Sequence, residues 1–86
     1  MKIIRNINTL TKHLELLKKN KIKIGFVPTM GGIHQGHQSL ISNSKNKKLY
    51  TITSIFVNPS QFNDKKDYFN YPRNLNNDLK KIKKCN

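Results

Sequence analysis

Two histidines stand three residues apart in the segment His34-Gln35-Gly36-His37, with Gly31 and Gly32 just before them. Imidazoles at this spacing can donate hydrogen bonds, carry protons or ligate a metal. A metal pair finds little support, because no carboxylate or cysteine accompanies them, and we expect no metal site. A glycine at the mouth of a helix suits another task. Unpaired N–H groups and about half a positive charge favour a phosphate there, and the bare Cα of Gly36 leaves room for the phosphate to approach the backbone. A triphosphate would bias the imidazoles, whose unperturbed pKa is about 6.5, toward the protonated form. Such donors stabilise the charge that builds on phosphorus-bound oxygens in phosphoryl or nucleotidyl transfer. The segment is not G-x-G-x-x-G and lacks the G-K-S/T of a P-loop, which disfavours those two functions. Two surface histidines without a role are the plain alternative, and the glycines around them after a strand argue against it.

A second loop, Asn58-Pro59-Ser60-Gln61-Phe62, holds two amides that both donate and accept, as a small polar substrate with hydroxyl and carboxylate groups requires. Taken alone it reads more simply as a capped turn after a strand. His13 lies beside Leu10, Leu14 and Leu17 and reads as structural. Cys85 has no candidate partner, and Lys80, Lys81, Lys83 and Lys84 read as the solvated side of a helix.

The elements that must position these residues follow from periodicity. Leu10, Leu14 and Leu17 fall at i, i+4, i+7 and predict a helix from about Thr9 to Lys19, started by Asn8 or Thr9 and stopped by a left-handed Asn20. Ile22 to Val27 predicts a strand that Pro28 ends. The glycine-rich stretch Thr29 to Gly36 reads as a loop, and from His37 a weak helical face (Leu40, Ile41, Ser44) ends in Lys45, Lys47 and Lys48. Leu49 to Val57, rich in β-branched and aromatic residues, predicts a second strand closed by Asn58-Pro59. A polar loop through Asp64-Lys65-Lys66-Asp67 then leads to a last helix marked by Leu75, Leu79 and Ile82, with Asn74 as its N-cap. Strand, helix, strand within this length predicts a right-handed parallel crossover, the unit of doubly wound α/β sheets. Both candidate loops then leave the carboxyl edge of one sheet, where ligands gather. The sheet looks unfinished, because the sequence stops where a third strand is due.

The 86 residues include 15 Lys, 12 Asn and 10 Ile but no Ala, and 17 basic against 4 acidic residues give a net charge of +13. An excess of this kind suggests nucleic acid or another polyanion. Lys, Asn and Ile share A/T-rich codons, however, and we attribute the charge to base-composition drift rather than to a nucleic-acid partner. A chain this short holds one small domain. A single cysteine forms no internal disulfide, an early charge interrupts any signal peptide, and no apolar run nears the roughly 18 residues of a membrane span. A soluble, cytoplasmic protein without a membrane partner is expected.

Three stretches, Gly25 to His37, Ser54 to Phe62 and Tyr71-Pro72-Arg73, occur in an order and spacing that closely resemble the N-terminal third of the pantothenate synthetase (pantoate–β-alanine ligase) family. The resemblance runs from about Ile3 to Lys84. H-x-G-H alone would indicate only the wider nucleotidyltransferase-like superfamily. The resemblance implies a partial, truncated Rossmann-like doubly wound parallel sheet. By the same resemblance residues 1–86 would form the N-terminal part of its nucleotide-binding domain, with the remainder of that domain and the C-terminal domain expected to be absent. It implies an ATP-dependent ligase in which pantoate is adenylated, releasing pyrophosphate, and β-alanine then displaces AMP. Met30, Gly31, Gly32, Ile33, His34, Gln35, Gly36 and His37 would line the ATP site, with His34 and His37 on the phosphates and His37 as proton donor. Gln61 and Asn58 would shape the pantoate and β-alanine pocket. Magnesium would accompany the nucleotide, and the full-length family is typically a homodimer.

Within the matched stretches Gly32 replaces the family's usual Ala or Asn, Ile33 its usual Leu and Asn74 its common Thr, changes that alter loop stiffness and capping more than chemistry. A chain limited to these residues offers one wall of an adenylating site, so by itself it is expected to be marginally stable or aggregated, to bind ATP weakly if at all and to lack turnover without a complementing partner. A non-catalytic remnant or basic binding module that keeps the loops is the alternative.

Overall fold

The computed structural model describes residues 1–85, and its order is helix, strand, helix, strand, then a 3₁₀ turn and two further helices. Helix α1 spans Ile7–Lys19. It starts two residues earlier than its leucine stripe predicts, because the Asn6 side chain accepts the N–H groups of Asn8 at 2.8 Å and Thr9 at 3.2 Å. That is the N-cap chemistry of asparagine. Leu17 is buried and Leu10 and Leu14 are half-buried, as the spacing requires. The stop lies one residue later than expected. Asn20 has φ −87 and the left-handed conformation falls on Lys21, with φ 55. Lys21 N–H then reaches Lys18 O and Ile22 N–H reaches Leu17 O, both at 3.0 Å, the paired bonds of a Schellman ending.

Strand β1, Ile24–Thr29, runs parallel to β2, Tyr50–Ile55, with Ile24 opposite Tyr50 and Thr29 opposite Ile55. Pro28 does not end β1 but sits inside it, opposite Ser54. The reason is which edge its nitrogen faces. Lys23 and Thr29 turn their carbonyls to Tyr50 and Phe56 of the β2 segment, so by alternation the Pro28 nitrogen faces the other edge, where a missing donor costs nothing.

Helix α2, Gln35–Asn46, connects the strands and packs on both. Gly25 permits the closest approach, since a Cβ there would collide with Ser44 Oγ. Ser44 Oγ and Thr51 Oγ1 share a hydrogen bond of 2.7 Å beneath it. Val27, Ile33 and Ile41 close this side of the sheet, all buried. The other side is barely covered: Ile24 and Phe26 remain exposed, Phe26 at 61%. His13 of α1 meets this second side at Tyr50, its Nε2 hydrogen-bonded to the hydroxyl at 2.8 Å, in line with its structural reading.

Beyond β2, Pro59–Gln61 makes a single 3₁₀ turn capped by Asn58. The expected polar loop contains a helix, α3, Lys65–Phe69, which Asp64 caps by accepting Lys66 N–H at 2.8 Å. Helix α4 spans Leu75–Lys83 and is capped by Asn74, as its sequence predicts. Among the described residues no helix is long and apolar enough to cross a membrane.

Candidate functional site

Because the strands are parallel and adjacent, the loops after Thr29 and Ile55 open side by side at one edge of the sheet. Between them lies a cavity of about 520 Å³. Met30, Gly31, Gly32, His34, His37, Asn58 and Gln61 line it, together with Thr29, Ser54, Phe56 and Tyr71. Of the candidate residues, Ile33, Gln35 and Gly36 stay outside its wall. Ile33 is 1% exposed and belongs to the core, and Gln35 faces a shallow polar groove along α2 with Gln38 and Ser42.

The turn into the site is built from Thr29. Its hydroxyl donates to Ser54 O at 2.8 Å, tying the two strands together, and accepts Gly31 N–H at 3.2 Å. Gly31 has φ +86, a conformation that side chains other than glycine rarely adopt.

His34 is the N-cap of α2, and the two rings cap the helix reciprocally. His34 Nδ1 accepts Gly36 N–H at 3.0 Å, and His37 Nδ1 accepts the N–H of His34 at 3.1 Å. The glycine between them admits the cap: a Cβ on Gly36 would lie 2.7 Å from His34 Cε1. The room that the sequence reading assigns to a phosphate is therefore taken by the His34 ring. The rings lie against each other with centroids 3.9 Å apart and planes inclined by 34°.

A nitrogen that accepts a hydrogen bond carries no proton, so both imidazoles are neutral Nε2–H tautomers. Neither Nε2 has a hydrogen-bond partner among the described residues, which leaves each as a donor for a ligand. His37 is held below the ordinary imidazole value, first by burial and then by the neighbouring His34, with Asp78 acting in the opposite direction. Unliganded His37 thus favours the neutral donor form, whereas the spacing alone suggests imidazoles biased toward protonation beside a triphosphate.

The second loop keeps both of its readings. Asn58 Oδ1 accepts the N–H of Ser60 at 3.0 Å and its hydroxyl at 2.7 Å, so the capped turn exists. The cap uses one end of the Asn58 amide only, and Gln61, exposed at the cavity, keeps its whole amide. Tyr71 reaches the cavity from Tyr71-Pro72-Arg73, while Arg73 turns back. Its guanidinium donates to Tyr71 O at 2.8 Å and Tyr68 O at 2.9 Å and lies 5.1 Å from the centre of the Tyr68 ring.

One residue of the site escaped sequence reasoning altogether. Asp78 of α4 is buried and accepts the N–H of Gly32 at 3.2 Å and of Ile33 at 2.9 Å. The available signal was its position: with Leu75, Leu79 and Ile82 it completes an i, i+3, i+4, i+7 face, where a carboxylate needs a reason to be. No group of three or more His, Cys, Asp or Glu side chains gathers to hold a metal ion among the described residues.

Comparison with known proteins agrees with this arrangement. A pantothenate synthetase of Bacteroides fragilis is 48% identical over 85 residues, which are 99% of this chain and 30% of that protein. One from Pseudothermotoga lettingae is 49% identical over 84 residues. The crystal structure of a pantoate–β-alanine ligase from Francisella tularensis, complexed with β,γ-ATP and β-alanine, superposes with a TM-score of 0.88 at 45% identity. It covers 98% of this chain and 32% of that one. The chain therefore spans about a third of the length of the relatives it matches. The family model for pantoate–β-alanine ligases matches residues 2–86, and the chain belongs to that family.

Proposed function

We propose that this chain carries the phosphate-binding wall of an ATP-dependent ligase that joins pantoate to β-alanine. One observation carries the reading: two imidazoles, each pinned through Nδ1 to the mouth of α2 and each with an Nε2 that has no partner among the described residues, line the cavity that Gln61 and Asn58 also line. The ATP and β-alanine bound by the Francisella protein name ligands of matching chemistry.

In the reaction read from the family, a pantoate carboxylate oxygen bonds to the α-phosphorus as the bond to the pyrophosphate oxygen breaks. The amine of β-alanine then bonds to the acyl carbon and AMP leaves. His34 and His37 donate hydrogen bonds from Nε2 to phosphate oxygens whose charge increases in the first step, and both rings keep their protons as pyrophosphate leaves. Gln61 and Asn58 orient pantoate through their amides. Among the described residues no carboxylate side chain lines the cavity, and Asp78 spends its oxygens on backbone N–H groups. Magnesium therefore fits as part of the nucleotide substrate rather than as a resident ion. Residues 1–86 form the N-terminal part of a nucleotide-binding domain.

The three histidines make a direct test possible. Titrating ATP into the protein while following imidazole Cε1–H resonances should move His34 and His37 and leave His13 in place. An ATP response confined to His13, or none at all, would refute the reading. In an enzyme that contains this chain and turns over, His37→Ala should lower pyrophosphate release by about 10² to 10³, the range for loss of one preorganised donor. Gln61→Ala should weaken pantoate more than ATP.

A further inference from the structure

Helix α4 grips the turn that delivers His34, and it does so from behind the cavity. Asp78, 4% exposed, gives one oxygen to Ile33 N–H and the other to Gly32 N–H. One helical turn further on, Lys81 Nζ donates to Ile33 O at 3.0 Å. Both backbone polar groups of Ile33 are thus held by side chains of α4, and the residue that follows is the histidine cap of α2. Gln38 of α2 closes the arrangement by donating to Lys81 O at 3.0 Å.

A buried carboxylate is costly unless it is hydrogen-bonded, and an apolar residue at this point of the α4 stripe would strand two backbone donors. The helix itself does not need the carboxylate, since Asn74 already caps it. Asp78 serves the loop. The approach is close enough that a Cβ on Gly31 would lie 3.0 Å from Asp78 Oδ2.

We propose that Asp78 and Lys81 form a positioning bracket that fixes the Gly31–His34 turn and, through it, the aim of both imidazoles at a phosphate. The bracket deepens the nucleotide reading of the cavity and rests on it for its ligand. It has an electrostatic side as well: burial and the neighbouring His34 disfavour the protonated His37 ring, and Asp78 acts in the opposite direction.

The test compares the 86-residue protein with Asp78→Asn and Lys81→Met. The Asn side chain is isosteric, but its NH₂ faces a backbone N–H where an oxygen stood. In Asp78→Asn the His37 titration midpoint should move to lower pH, and the Gly32 and Ile33 amides should exchange at least about tenfold faster. ATP affinity should fall by about tenfold, the lower end of the loss that follows removal of a partner behind a binding group. Lys81→Met should weaken ATP by a smaller factor.

A purely structural Asp78 would lower the unfolding midpoint while leaving the His37 midpoint and ATP affinity where they were, and that result overturns the bracket. Should Asp78→Asn fail to fold, Lys81→Met decides: unchanged ATP-induced shifts at His34 and His37 overturn it. If ATP moves neither ring in the unsubstituted protein, the nucleotide reading falls. The bracket is then judged on the His37 midpoint and the Gly32 and Ile33 exchange of the unliganded protein alone.

Discussion

His34 caps α2 through Nδ1 and, in the proposed function, donates to a phosphate through Nε2, and substitutions can separate the two. Alanine removes both, so His34→Ala should lower stability by about 1 kcal/mol, the usual loss for an N-cap. Asparagine caps well but has no Nε2–H. His34→Asn should therefore stay within roughly 0.5 kcal/mol of the parent by urea denaturation yet lose the imidazole's share of ATP binding; equal losses of stability in the two variants would contradict the capping role. His37 gives the site an acid limit. Its folded pKa lies below the ordinary value of about 6.5 because burial and His34 disfavour the charged ring. The unfolded chain then binds more protons in the window between the two values. The stabilising contribution is complete above about pH 6.5 and is lost as pH falls through the folded pKa. A urea midpoint followed from pH 8 to pH 5 should fall more steeply in the parent than in His37→Gln, and superimposable curves would remove His37 as the cause. That His34 and His37 meet at the mouth of α2 was legible in the sequence because spacing is a sequence property, whereas the use of Gly36 was not, since its bare Cα admits the His34 ring. The tautomers were not, since they depend on which backbone N–H each ring meets after the turn has formed.

Both long helices α1 and α2 end in the same way, with a lysine where glycine is usual. Lys48, with φ 59, donates its N–H to Lys45 O at 2.8 Å, and Leu49 N–H reaches Ser44 O at 3.1 Å. A left-handed residue with a Cβ costs about 1 kcal/mol or more. Lys48→Gly should accordingly raise stability by roughly 0.5 to 1 kcal/mol after the added freedom of the unfolded chain is counted. A lower urea midpoint in that variant would argue against the strained ending. Helix positions came readily from the leucine spacing, whereas their ends did not, because Asn6 and Lys21 act through side-chain reach and local φ rather than hydropathy. Helix α3 was missed for a related reason. Five residues offer no periodicity, and only Asp64 followed by Asp67 marks its start. Asp78 was hidden by the opposite fault, since an apolar stripe draws the eye to Leu75, Leu79 and Ile82.

At the scale of the whole molecule, the charge of +13 should not translate into tight nucleic-acid binding. Four of the seven aromatic residues cluster with one another, Phe62 with Tyr68 and Tyr71 and Tyr68 with Phe69, instead of alternating with lysines as stacking platforms do. Binding to single or double strands at physiological salt should stay within the roughly 10⁻⁴ to 10⁻⁶ M of non-specific association; a sub-micromolar constant would reverse this. A polypeptide of these residues alone should form no AMP from ATP, pantoate and β-alanine. In-line transfer needs both substrates held about 3 to 3.5 Å apart, and the chain spans about a third of the length of the relatives it matches. Turnover near 1 s⁻¹ would show that one wall suffices. The sheet also sets the kinetics of assembly. Every paired residue is separated by the same 26 positions, from Ile24 with Tyr50 to Thr29 with Ile55, so the ladder forms through one loop closure, with an entropic barrier on the order of 3 kcal/mol. Helix formation within that loop takes about a microsecond or less and shortens the span that the strands must cross. If α2 forms first, the stability gained by Lys48→Gly will appear in the folding limb of a chevron plot, leaving the unfolding limb nearly unmoved.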